Sequence, residues 1–161
     1  MKFQTFLALS LIDSLIWSIN EQEISKKCEK IITDVEINLS ENRSNITFIN
    51  KNKEDIRKVT VDGCAITQGI RCDWLLIRPD DKEFFVELKG SDLKHAYEQI
   101  ERSIKQIAKD CYIREKNIYI VMSKYPSKPP ALQFMQRYFQ DTYKATLMVI
   151  ETDTIQEIQS V

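Results

Sequence analysis

The sequence predicts a single α/β domain, a sheet flanked by helices with an additional amphipathic helix at the N-terminus. Three observations carry that expectation. The apolar residues of Leu93 to Cys111 recur at steps of three and four, the signature of one helix face. Two apolar runs, Trp74 to Ile77 and Phe84 to Leu88, flank a Pro-Asp-Asp-Lys reversal, as in a hairpin. After the helix, Ile118 to Met122 is an unbroken apolar run of the kind found in strands buried on both faces. At 161 residues the chain suits one domain, 1–161, with a core over about 22–150. Hydrophobic residues at 43% with only three Gly and four Pro exclude a linker-rich or disordered chain. Lys plus Arg (23) and Asp plus Glu (24) nearly cancel, so contact with a polyanion must come from a local patch.

The elements follow in order. Phe3, Phe6, Leu7, Leu11, Leu15 and Ile19 stand at helical spacing, which predicts a helix over about 3–20 that packs on the domain or on a second subunit. The competing reading is a secretory signal. Against it, Asp13 interrupts the apolar run, Lys2 is the single basic residue before it, and no small-x-small site follows. The run is also too short to span a bilayer, so the expectation is a cytoplasmic protein with no membrane partner. Ile24, Cys28, Ile31 and Ile32 form a stripe that predicts a second helix over Gln22 to Asp34. The polar stretch from Asn38 to Asn45 breaks it, Ile46 to Ile49 reads as a strand, and a charged turn fills Asn50 to Asp55. Arg57 to Val61 reads as another strand, closed by Asp62-Gly63. The hairpin strands come next and should run antiparallel. Gly90 ends the second of them, and Ser91 or Asp92 caps a long helix to about Asp110. A strand over Asn117 to Ser123, a loop over Lys124 to Pro130, a helix over Pro130 to Gln140 and a strand over Ala145 to Ile150 complete the domain, and the tail after Glu151 frays. Cys28, Cys64, Cys72 and Cys111 show no C-x-x-C spacing and there is one histidine, which predicts reduced thiols and no structural zinc.

The chemistry-bearing residues lie in the hairpin. Asp73 opens its first strand, and Glu87-x-Lys89 ends its second. Side chains alternate along a strand, so Glu87 and Lys89 share one face. A carboxylate and an ammonium inside an apolar run are costly to bury unless both are compensated, and a hydrated divalent cation would compensate them. The alternative is a solvated same-face ion pair with no chemistry.

Asp73, Glu87-x-Lys89 and a following helix that opens Gly90-Ser91-Asp92-Leu93 resemble the PD-(D/E)xK nucleases, the restriction-endonuclease-like superfamily. The resemblance spans roughly Glu23 to Ile150 in element order and Asp73 to Lys89 in residue detail, with Cys72 where the motif has proline. It implies a mixed sheet flanked by helices. It also implies a Mg²⁺ site (Mn²⁺ substituting) with Asp73, Glu87 and the Leu88 backbone carbonyl as ligands, and with Lys89 and Gln99 as catalytic residues. A further acid, Glu29 or Glu36, would complete it. The activity implied is phosphodiester hydrolysis on nucleic acid, DNA before RNA, by a homodimer in a defence, restriction or mobile-element setting, with a possible protein partner for specificity. The competing class is a catalytically inactive nucleic-acid-binding or protein-interaction subunit on the same fold. Asp62 reads as half of a turn, His95 as a surface histidine, and Trp17 and Trp74 as packing residues. The loop from Lys124 to Lys128 mixes cations with Tyr125, which suits a phosphate or plain solvation.

Overall fold

A computed structural model describes residues 24–127 and 131–158. The predicted N-terminal helix over 3–20 and the start of the helix at Pro130 lie outside the described residues. Nine strands and two helices are described, in three layers. A six-stranded mixed sheet forms the middle layer. Its spatial order is β1 (Glu29–Ile32), β4 (Ile56–Thr60), β5 (Trp74–Ile77), β6 (Glu83–Lys89), β7 (Lys116–Met122) and β8 (Ala145–Glu151). Strands β1, β4, β5 and β6 pair antiparallel, whereas β6, β7 and β8 pair parallel. The parallel half needs crossovers, supplied by helix α1 (Leu93–Ile107) between β6 and β7 and helix α2 (Leu132–Tyr143) between β7 and β8. On the other face lies a three-stranded sheet ordered β2 (Glu36–Glu41), β3 (Ser44–Ile49) and β9 (Thr154–Glu157).

Two apolar cores share the middle sheet. Leu93, Ala96, Ile100 and Ile104 of α1 and Phe139 and Tyr143 of α2 bury against Leu75, Phe85, Ile118 and Ile120. Ile37, Leu39, Ile46 and Phe48 of the small sheet bury against Leu76, Phe84, Val86 and Tyr119. Because adjacent residues of β6 face opposite layers, Phe84, Val86 and Leu88 serve one core and Phe85 the other. Glu87 and Lys89 share the parity of Phe85, so they stand on the helix side.

Four expectations change. Lys26–Cys28 is a single 3-10 turn followed by β1, where a helix over 22–34 was predicted. Ile31 is 62% exposed while Ile32 packs inward, a period of two. Where Asn38 to Asn45 was read as a break, Glu36–Glu41 is a strand whose Ile37 and Leu39 point in and whose Glu36, Asn38 and Ser40 point out. Of the tail after Glu151, which was expected to fray, Thr154–Glu157 adds to β3 in parallel as β9. Finally, Cys28 and Cys64 form a disulfide, which leaves Cys72 and Cys111 as the free thiols. The antiparallel hairpin stands as read, Asp92 is the one of the two candidate caps that α1 uses, and the strand read over Asn117 to Ser123 runs Lys116–Met122.

Candidate functional site

The site is built where β5 stops and β6 runs on. Trp74 pairs with Val86 as the last rung, and the Asp73 N–H donates to the Val86 carbonyl at 3.2 Å. Beyond that rung the Leu88 amide donates at 2.6 Å to the Asp73 carboxylate (Oδ2), which stands in for the departed strand. The Asp73 carbonyl accepts from the Val61 N–H at 3.0 Å. Asp73 is therefore fixed by backbone and side chain alike. It is 8% exposed.

Glu87 is more deeply buried, 1% exposed, and its Oε2 has no hydrogen-bond partner. Its Oε1 lies 3.5 Å from the Lys89 ammonium. An unsatisfied carboxylate oxygen costs free energy, and cavities around such atoms are where cations or protons collect. Burial pushes the Glu87 carboxyl up to about 8, and the neighbouring Asp73 adds to the rise against the opposing pull of Lys89. Burial also raises Asp73 to about 7, with the Glu41 carboxyl next in importance and the Leu88 amide pulling the other way.

Lys89 is positioned by the helix layer. Its Nζ donates to Gln99 Oε1 at 2.5 Å, and Gln99 Nε2 donates to the Arg71 carbonyl at 2.8 Å. Ser103 Oγ accepts from the Cys72 N–H at 2.8 Å and donates to the Gln99 carbonyl at 2.9 Å. One turn of α1 is thus tied to the segment that carries Asp73. From the opposite layer, Ser44 Oγ donates to the Lys89 carbonyl at 2.9 Å. That bond docks the β2–β3 hairpin on the end of β6 and brings Glu41, opposite Ser44 in register, to Asp73.

Asp73, Glu87, Lys89 and Gln99 lie together at the end of β6, and Leu88 meets Asp73 through its amide, whereas the resemblance implied its carbonyl. Neither of the further acids offered for the group lies at it; the carboxyl that reaches Asp73 is Glu41. Glu29 is bound by Arg57 at 2.6 Å on edge strand β1, and Glu36 is exposed at the far end of β2 from Glu41. Glu41 was missed because its stretch read as a break rather than as a strand. Asp62 pairs with Arg71 and acts on Asp73 only through its charge. His95 lies 3.6 Å from Glu98 on the outer side of α1 and takes no part.

Among the described residues no group of three or more His, Cys, Asp or Glu side chains is arranged to hold a metal ion. The donors that fit a hard cation here are two carboxylates and backbone oxygen, a set suited to Mg²⁺, which keeps several waters and uses one or two carboxylates. The orphaned oxygen of Glu87 is the observation in favour of that fit. No protein-family model, curated protein or solved structure matches this chain.

Proposed function

We propose that this chain is a Mg²⁺-dependent nuclease with a restriction-endonuclease-like core, hydrolysing phosphodiester bonds of nucleic acid, DNA before RNA. The observation that carries the reading is the buried, unpartnered Glu87 Oε2 beside Asp73 and Lys89 at the open end of β6. Asp73, Glu87 and the Leu88 carbonyl would hold the cation, with Mn²⁺ an acceptable substitute. The bound metal supplies a lowered water pKa and charge neutralisation at the phosphate. The chain's own groups do the rest. Gln99 holds the Lys89 ammonium in place, and Lys89 orients the attacking water and offsets the charge that develops on the phosphoryl oxygens. Phe85, two residues along β6, and Ile120, opposite on β7, are the apolar neighbours of Glu87 on its face of the sheet.

A homodimer belongs to the same proposal, because cutting a duplex takes two such sites; a monomer mass by light scattering at micromolar concentration counts against it. A partner protein would supply sequence specificity. The proposed cytoplasmic location no longer has the reduced-thiol argument behind it, since disulfides such as Cys28–Cys64 are rare in reducing compartments. Among the described residues no helix is long and apolar enough to cross a membrane.

A specific observation favours a second reading. Asp73 already serves a structural bond to Leu88, and the net charge of −1 offers no general attraction for a polyanion, which suits an inactive binding subunit of the same fold. Incubation of supercoiled, linear and single-stranded DNA and of RNA with Mg²⁺ or Mn²⁺ separates the two. The nuclease reading expects metal-dependent cutting that falls by about 100-fold or more in Glu87→Ala and in Lys89→Ala. Binding without cutting by the wild type refutes it and supports the subunit.

A further inference from the structure

A second set of groups lies on the opposite face of the middle sheet, at its outer edge. Strand β1 is the edge of the six-stranded sheet and β2 the edge of the three-stranded one. The space between them is a cleft of about 460 Å³ whose lining includes Lys27, Lys30, Lys58, Thr60 and Trp74.

Lys30 and Lys58 are direct partners across the antiparallel β1–β4 pair, so both ammonium groups project to one side of the sheet. Like charges directly opposite on a ladder repel, an arrangement that a sequence keeps only at a cost. Neither lysine has a carboxylate partner among the described residues. Lys58 lies 4.4 Å over the Trp74 ring, and its ammonium is held below the usual lysine range by burial and by Lys30. The Trp74 indole N–H is buried and has no acceptor. The acids of the cleft do not cancel these donors. Glu29 is taken by Arg57 on the other face, while Asp34 and Glu36 stand exposed at the rim.

We propose that this cleft binds a phosphate-bearing ligand, its dianionic group seated between Lys30 and Lys58 beside the Trp74 ring. A doubly charged oxyanion relieves the Lys30–Lys58 repulsion and gives both ammonium groups acceptors. A terminal phosphate carries the second charge that an internal phosphodiester lacks, so the chemistry fits either a free mononucleotide or the phosphorylated end of a strand. The site does not depend on the catalytic reading, since it faces the other layer and uses none of the same side chains.

Titration calorimetry on the full chain tests it with three probes: inorganic phosphate, adenosine monophosphate, and a short oligothymidylate with and without a 5′-phosphate. Wild type should bind the phosphorylated probes, and Lys30→Gln and Lys58→Gln should each weaken them about tenfold or more. Lys94→Gln, on the exposed side of α1, should bind as wild type does. Equal affinity for the mononucleotide and the phosphorylated oligomer identifies a free nucleotide as the ligand; clear preference for the oligomer identifies a strand end. Circular dichroism of both lysine variants verifies that a lost signal is not a lost fold. The proposal fails if wild type binds no phosphorylated probe, or if the folded Lys30 and Lys58 variants bind them undiminished. Failure here with intact cutting, or cutting lost with binding intact, keeps this site and the catalytic one separable.

Discussion

Glu87 is where the conflict between burial and charge is sharpest. The strand pattern that buries Phe85 also buries Glu87, and the Lys89 ammonium at 3.5 Å does not compensate for lost water. The outcome is a carboxyl that stays protonated until about pH 8 in the folded chain but ionises near its ordinary 4.5 when unfolded. Between those values the folded state holds more protons than the unfolded one, so stability is full at low pH and drains as pH rises through about 8. Glu83, raised to about 7 mainly by burial, drains stability in the same direction from the other end of β6. Asp73, raised to about 7 chiefly by burial, acts in the same direction, and Glu87→Gln keeps the shape and removes one of these three contributions. Its melting temperature should therefore exceed that of wild type by on the order of 5 °C at pH 8, and the gap should narrow toward pH 5. Adding Mg²⁺ should raise the melting temperature of wild type at pH 8 and leave Glu87→Gln nearly unmoved, since a cation replaces the proton. Thermal melts from pH 5 to 8 check both; a wild type more stable at pH 8 than at pH 5 contradicts the assignment. At this scale most of the site was legible, because Asp73, Glu87 and Lys89 advertise themselves as charges inside apolar strands. Glu41 was not, because an acid next to Asn42, Arg43 and Ser44 looks like any solvated turn until Ser44 is seen bonded to Lys89.

Among the elements, the long helix and the strands of the middle sheet were readable from periodicity, and the failures cluster in the first and last strands. Ile24, Cys28, Ile31 and Ile32 satisfy a helical stripe as well as a strand, and only the partner β4 decides between them. The alternation of Ile37 and Leu39 was present in β2, masked by the polar residues around it. Strand β9 has its reason 108 residues upstream in β3, where Ile46 meets Thr154, and no local pattern reports a pairing of that range. The same region holds the disulfide, which ties the residue before β1 to the loop after Asp62 and Gly63 across 36 residues. The loop it closes limits the unfolded chain, an effect worth roughly 2 to 4 kcal/mol for a loop of this size. Thiol titration of the denatured, unreduced protein should count two free thiols, Cys72 and Cys111, and four after reduction. Reduction, or Cys28→Ser with Cys64→Ser, should lower the urea midpoint accordingly. Four titratable thiols before reduction would remove the bridge.

At the level of the whole molecule, β6 is the element that every other part uses. Its even residues Phe84, Val86 and Leu88 fill the core between the two sheets, its odd residue Phe85 fills the core beneath the helices, and its last residues carry the site. The site draws on both outer layers as well, with Gln99 from α1 and Glu41 from the small sheet meeting at the end of β6. Such a site exists only when both layers are docked. Two cores that share one strand cannot be lost one at a time, because removing either exposes the apolar back of the sheet that supports the other. Phe84→Ala and Phe85→Ala act on different cores, and each removes a ring that is at most 2% exposed. Both should lower the free energy of unfolding by about 3 to 5 kcal/mol and shift one and the same transition. Urea melts followed by far-ultraviolet circular dichroism and by tryptophan fluorescence should coincide in wild type and in both variants. A second transition appearing in Phe84→Ala alone would mean that the small sheet detaches independently, and Glu41 would then be a visitor to the site rather than part of its frame.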